Sequence, residues 1–120
     1  MQFIDQKEAK HLLREVPYEE WLVIGRMMVP KGVHMARISS LEELEWTIRP
    51  TAKTLVAMRF DNLEQWLRKS VEDSYLADKV AAVTAQDIPY VEQSKTIYEA
   101  VLERVNMLRR IADGEEVHHV

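Results

Sequence analysis

DIPYVEQSKTIYEAVLERVNMLRRIAD, residues 87–113, carries a hydrophobic stripe at helical spacing. Asp87 and Pro89 open it as an acidic cap followed by proline in the first turn. Val91, Tyr98, Val105 and Ala112 recur at intervals of seven; Val101 and Leu108 fill the seam between them, and Ile97, Leu102 and Ile111 widen it. The pattern predicts one long amphipathic helix whose apolar face is wider than a coiled-coil seam and must be buried against something. Arg109 and Arg110 suit its negative end, Gly114 stops it, and residues 115–120 are expected to form a flexible polar tail. At ~1.5 Å per residue the helix is about 40 Å long, more than a compact domain of this size is wide, so part of it is expected to project. Its first half is expected to pack on a helix over 63–83, and its second half, from Val101 onward, to be left for a partner.

N-terminal to this helix the pattern is mixed. Residues 5–16 read as a short helix: Asp5 is a good N-cap, Glu8 stands three residues later, Ala9, Leu12, Leu13 and Val16 share a face, and Pro17 stops it. Trp21, Leu22, Val23 and Ile24 fit either a buried strand or a helix; a strand over 20–28 is preferred, returning after Pro30-Lys31-Gly32 as a second strand over 33–38. Such a hairpin is stable only if helices cover one face. Ser40 with Glu43 is the clearest helix start in the chain, a capping box with two acids at the positive end of the dipole; that helix ends at Pro50. Thr51 reads as a cap for residues 52–59, which fit a helix or a third strand. Asp61 or Asn62 then caps a helix bearing Leu63, Trp66, Leu67 and Val71, continued past a weak break at Asp73-Ser74 by Tyr75, Leu76, Val80 and Val83.

Ser40-Leu41-Glu42-Glu43-Leu44, followed by Asp61-Asn62-Leu63-Glu64-Gln65-Trp66-Leu67-Arg68 and by Asp73-Ser74-Tyr75-Leu76-Ala77, resembles a group of small prokaryotic domains of unknown function. That group shares a leucine-glutamate-glutamate-leucine helix and a later D-F-x-x-W-[I/L]-R…D-x-x-L-A helix pair. The likeness covers about residues 36–83. Leu63 stands where the group has Phe, and Met58 and Arg59 where it commonly has a His pair. The resemblance implies a compact helical domain and brings no activity with it.

Composition bounds the rest. A chain of 120 residues fits one domain, expected over residues 1–114. Hydrophobic residues make up 47% and charged ones 30%, as in ordinary soluble proteins and unlike disordered chains. The longest apolar stretch is broken by Arg26 and falls well short of the roughly 20 residues of a bilayer span, so no membrane association is expected. The first residues lack the basic and apolar regions of a secretory signal, which favours the cytoplasm. Without cysteine there is no disulfide, thiolate metal site or thiol nucleophile. A net charge of −4 disfavours bulk nucleic-acid binding, which depends on Lys and Arg displacing counterions.

Chemical candidates are few. His11, beside Lys10 and three residues before Arg14, is a candidate phosphoacceptor of histidine-phosphotransfer type, although a solvated surface histidine is the commoner meaning of a lone titratable group. His34 reads as a cross-strand filler. Glu115, Glu116, His118 and His119 have metal-ligand spacing, but a tail beyond Gly114 offers nothing to orient them. Arg59, Arg68 and Lys69, with Arg49 and Lys53, lie near Phe60 and Trp66 and form a candidate anion or nucleic-acid patch; more often such a Trp is core and such cations a solvated face. Trp21 and Trp46 read as core too. Glu42, Glu43 and Glu45 fit capping and the helix dipole better than catalysis. Three glycines cannot build a phosphate loop.

The expectation is therefore a mainly α domain of four to five helices with a small β-hairpin, α+β at the margin. Its expected role is non-enzymatic and cofactor-free: a protein-interaction or regulatory module that pairs with its twin or with a helical partner. Val91, Tyr98, Val101, Val105 and Leu108 are the candidate contact residues. A phosphotransfer or small-ligand domain using His11 is the alternative, and a nucleic-acid accessory domain using Arg59, Arg68 and Lys69 a further one.

Overall fold

The computed structural model describes residues 4–28, 32–50 and 54–114. Among them run α1 (Gln6–Leu12), β1 (Leu22–Met28), β2 (Gly32–Ile38), α2 (Leu41–Ile48), β3 (Thr54–Ala57), α3 (Phe60–Trp66), α4 (Ser74–Thr84) and α5 (Tyr90–Ala112). A 3-10 turn lies at Tyr18–Glu20, and a π-helical turn at Leu67–Val71 continues α3. The fold is mainly α with a small β-hairpin, to which β3 adds a third strand.

Local chemistry explains most of these boundaries. The Asp5 carboxylate accepts from the Glu8 N–H at 2.7 Å and starts α1. The helix ends at Leu12 rather than at residue 16. Pro17 pushes the residue before it out of the helical region, and the Val16 N–H donates instead to the Ser39 carbonyl at 2.8 Å. Ser40 caps α2 by accepting from the Glu43 N–H at 3.3 Å. The Glu43 carboxylate takes the Ser39 hydroxyl rather than reaching back to the cap, so only half of the capping box is present. At α3 the expected cap is corrected: Arg59 occupies the N-cap, and Asp61, already in the first turn, bonds the Arg59 guanidinium at 3.0 Å.

The break at Asp73-Ser74 is a built turn. Glu72 sits in the left-handed region with φ 70°, and the Asp73 N–H returns to the Leu67 carbonyl at 2.8 Å. This satisfies one terminal carbonyl in the manner of a Schellman cap. Arg14 supplies two more donors, to the Ser70 carbonyl at 2.7 Å and the Val71 carbonyl at 3.0 Å. Asp73 then caps α4 by accepting from the Leu76 N–H.

The sheet order is β2-β1-β3, antiparallel throughout. Leu22 pairs with Ile38, Val23 with Arg37, Ile24 with Ala36 and Gly25 with Met35. Because side chains alternate across a strand, Leu22, Ile24 and Ile38 turn into the core while Val23, Met35 and Arg37 stay outside it. Gly25 also pairs with Ala57, which resolves the ambiguous apolar segment as a strand over its described part. The expected cap at Thr51 lies outside the described residues.

α5 packs on α1, α2 and α4, and this corrects two expectations. With 23 residues it is about 35 Å long, and the longest extent of the molecule is 44 Å; the helix spans the body rather than projecting from it. Its second half is the covered half. Ile97, Val101, Val105 and Leu108 have no exposed surface, and Ile111 is buried. Gln6 donates to the Ala112 carbonyl at 2.9 Å and Arg109 bonds Glu42 at 2.8 Å, fastening that end to α1 and α2. The first two turns carry the exposed residues Val91, Glu92, Lys95 and Thr96.

Candidate interaction surface

Of the five candidate contact residues, three are core. Val101, Val105 and Leu108 fill the seam against neighbouring helices of the same chain, so an intermolecular contact through them would require the domain to open. The stripe that demanded burial is satisfied within the monomer. Tyr98 is half-buried and lies near Arg49, one of whose guanidinium nitrogens bonds both carboxylate oxygens of the buried Glu45 at 2.8 and 2.9 Å. Glu45 above all, then Tyr98, raises the Arg49 pKa further above its ordinary value. Val91 alone of the five is freely exposed, at 60%.

The other candidates resolve by their partners. His11 Nε2 lies 3.3 Å from a Glu72 carboxylate oxygen, and Arg14 meets the same oxygen at 3.3 Å. A phosphoryl group on that nitrogen would have to displace a negative charge. Arg68 is held by Asp78 at 2.9 Å and Glu64 at 3.2 Å, and Asp78 first, then Glu64, raises its pKa. Trp66 is core, with its indole N–H donating to the Glu20 carbonyl at 2.8 Å, and Phe60 stacks on Tyr90 at 5.0 Å. The middle basic segment therefore offers neither a free stacking aromatic nor unpaired Arg59 and Arg68. Among the described residues no group of three or more His, Asp or Glu is placed to hold a metal; Glu115, Glu116, His118 and His119 lie outside them. Also among the described residues, no helix is long and apolar enough to cross a membrane. Between α4 and α5, Tyr75, Lys79, Glu103, Arg104 and Met107 line a cleft of about 60 Å³, room for a few waters and well below the roughly 300 Å³ at which ligand pockets begin.

The exposed apolar side chains that remain define a different surface. Val23 (47% exposed) and Met35 (65% exposed) share the outer face of the sheet, and none of the described helices covers it. Tyr18, also exposed, stacks edge-on against Trp21 and accepts a hydrogen bond from Arg37 at 3.2 Å at the margin of that face. Trp46, which the sequence suggests is core, is exposed on α2. It sits on the turn face shared with Glu43, opposite Leu41, Leu44 and Ile48.

Charge separates along the same line. Residues 21–40 and 49–60, the segments that contain the three strands, hold Arg26, Lys31, Arg37, Arg49, Lys53 and Arg59, six of the 16 basic residues, and none of the 20 acidic ones. Arg49 and Arg59 are paired with Glu45 and Asp61 from the adjoining helices. Arg37 meets no carboxylate among the described residues; Glu19 and Glu20 on the neighbouring turn form no ion pair with it. An acidic helical body thus carries a basic sheet. The absence of Asp and Glu from residues 21–40 held this signal; the overall charge of −4 concealed it.

No family model, no curated protein and no solved structure matches the chain.

Proposed function

We propose that this chain is a non-enzymatic protein-interaction module that meets its partner through the outer face and edge of the three-stranded sheet. One observation carries the reading: Val23 and Met35 are exposed side by side on a sheet face while the longer apolar stripe of α5 is already filled. An antiparallel sheet commonly keeps one solvated face, and that face is then polar. Here it presents aliphatic side chains and a cation. The resemblance over residues 36–83 supports only the compact helical scaffold.

A photo-crosslinking residue such as benzoylphenylalanine, placed at position 23, 35, 46 or 91 in the native host, tests the reading. Adducts of one common mass from positions 23 and 35, without adducts from 91, support it. Adducts from 46 or 91 alone, or none from any position, overturn it.

A further inference from the structure

We infer that the partner is a protein carrying an extended acidic segment, which adds as a fourth strand along the outer edge of β2. This rests on the sheet being the contact surface and goes further, because it names the edge, the backbone bonding and the partner's charge.

The edge is long and unprotected. β2 runs for seven residues in unbroken register with β1, from Gly32 opposite Met28 to Ile38 opposite Leu22. It contains no proline and no bulge, and among the described residues nothing pairs with its other side. About half of its backbone N–H and C=O groups therefore point away from β1. Proteins usually blunt such edges by shortening, kinking or covering them. β3, at the opposite edge, has four described residues. A free seven-residue edge is the geometry that strand-addition domains offer an extended peptide.

The charge selects what can pair. His34 and Arg37 are exposed on β2, and the sheet segments hold no acid. Pairing with β2 of a second copy would bring no carboxylate to Arg37, since that strand holds no acid. A strand bearing Asp or Glu meets the opposite situation. Met35 and Arg37 stand two apart on the outer face, so the fitting segment has an apolar residue beside Met35 and an acid two positions away beside Arg37. A nucleic acid shares the negative charge, yet the face itself offers Val23 and Met35, and the Tyr18 ring at its margin is held edge-on against Trp21. Trp21 is half-buried and its indole N–H is held by the Val16 carbonyl at 3.0 Å.

The test uses the full chain and fluorescein-labelled ten-residue peptides read by anisotropy. The probes are alternating Glu and Val, the same peptide N-methylated at every second amide, alternating Lys and Val, and a 15-nucleotide oligothymidine. The Glu-Val peptide is expected to bind below about 100 μM, as weak strand-addition contacts do. N-methylation, which keeps the charge and removes the ladder bonds, is expected to weaken binding at least tenfold, as is Arg37→Glu at unchanged thermal midpoint. Lys-Val is expected not to bind. Equal affinity for the N-methylated peptide, tighter binding of the oligonucleotide, or no Glu-Val binding up to millimolar concentration overturns the inference. Adducts from positions 23 and 35 with no peptide binding remove strand addition and leave the sheet as the contact surface; adducts only from 46 or 91 remove both.

Discussion

Asp73 and Arg104 meet 31 residues apart in sequence through two parallel hydrogen bonds of 2.8 and 2.9 Å, both side chains almost wholly out of solvent. The same Asp73 oxygen that receives the Arg104 terminal nitrogen accepts from the Leu76 N–H at 3.1 Å, so the pair also caps α4. The Tyr75 ring lies against the guanidinium at 4.7 Å from its centroid. One bidentate contact thus fixes the start of α4 to the middle of α5.

Removing one partner leaves the other charge buried without compensation. Arg104→Met is expected to lower stability by about 3–5 kcal/mol. Asp73→Asn with Arg104→Met is expected to recover part of that loss, because the amide oxygen still caps α4 and no charge is stranded. Urea unfolding of the single and double variants checks this; a double variant less stable than Arg104→Met would contradict it.

Two substitutions on α5 separate core from surface. Val105→Asp places a carboxylate at a fully buried position and is expected to cost about 4 kcal/mol or more, seen as lost helicity at 25 °C or a much lower midpoint. Val91→Asp, at an exposed position, is expected to stay within about 0.5 kcal/mol of the parent. Circular dichroism melts decide. If Val105→Asp kept the native midpoint, that face would not be covered within the chain.

Glu72 holds a left-handed conformation that suits glycine. Its carboxylate is 59% exposed and touches His11 and Arg14, contacts worth roughly 0–1 kcal/mol at such exposure. Glu72→Gly removes about 1 kcal/mol of backbone strain, so the expected result is equal or slightly higher stability. A loss above about 1 kcal/mol in urea would show that the His11–Glu72–Arg14 contacts matter more than their exposure implies.

Asp61 gives a test by pH. The Arg59 guanidinium, bonded to it, holds its carboxyl below the usual carboxylate range. A lowered folded-state pKa means that the stabilisation is present above the unfolded value and is lost as pH falls through the folded one. Arg59→Ala is therefore expected to move the Asp61 midpoint up into the ordinary range, followed by the NMR shift of its carboxyl carbon. An unmoved midpoint would assign the shift to another cause.

The local elements were readable where a residue's own chemistry fixes them. Asp5 and Ser40 cap the helices their spacing predicts, Pro50 bounds the second while the first ends at Leu12, well before Pro17, and the apolar runs over 20–28 and 33–38 mark the hairpin. What periodicity cannot carry is which surface covers which. The α5 stripe needed burial, and only the tertiary arrangement shows that α1, α2 and α4 supply it. Trp46 differs for the same reason: its residue type predicts core, while its place on the helix face with Glu43 leaves it outside. The Asp73–Arg104 pair had no local signal, because its members lie on separate helices and each resembles a surface charge.

Amide hydrogen exchange across a hundredfold range of protein concentration tests most directly whether the α5 face is filled within one chain. With the face filled, amides from Val101 to Ile111 are expected to exchange at the rate of global unfolding, equally slowly at every concentration. Protection of those amides that grows with concentration would contradict it and return α5 to the role of a contact between chains.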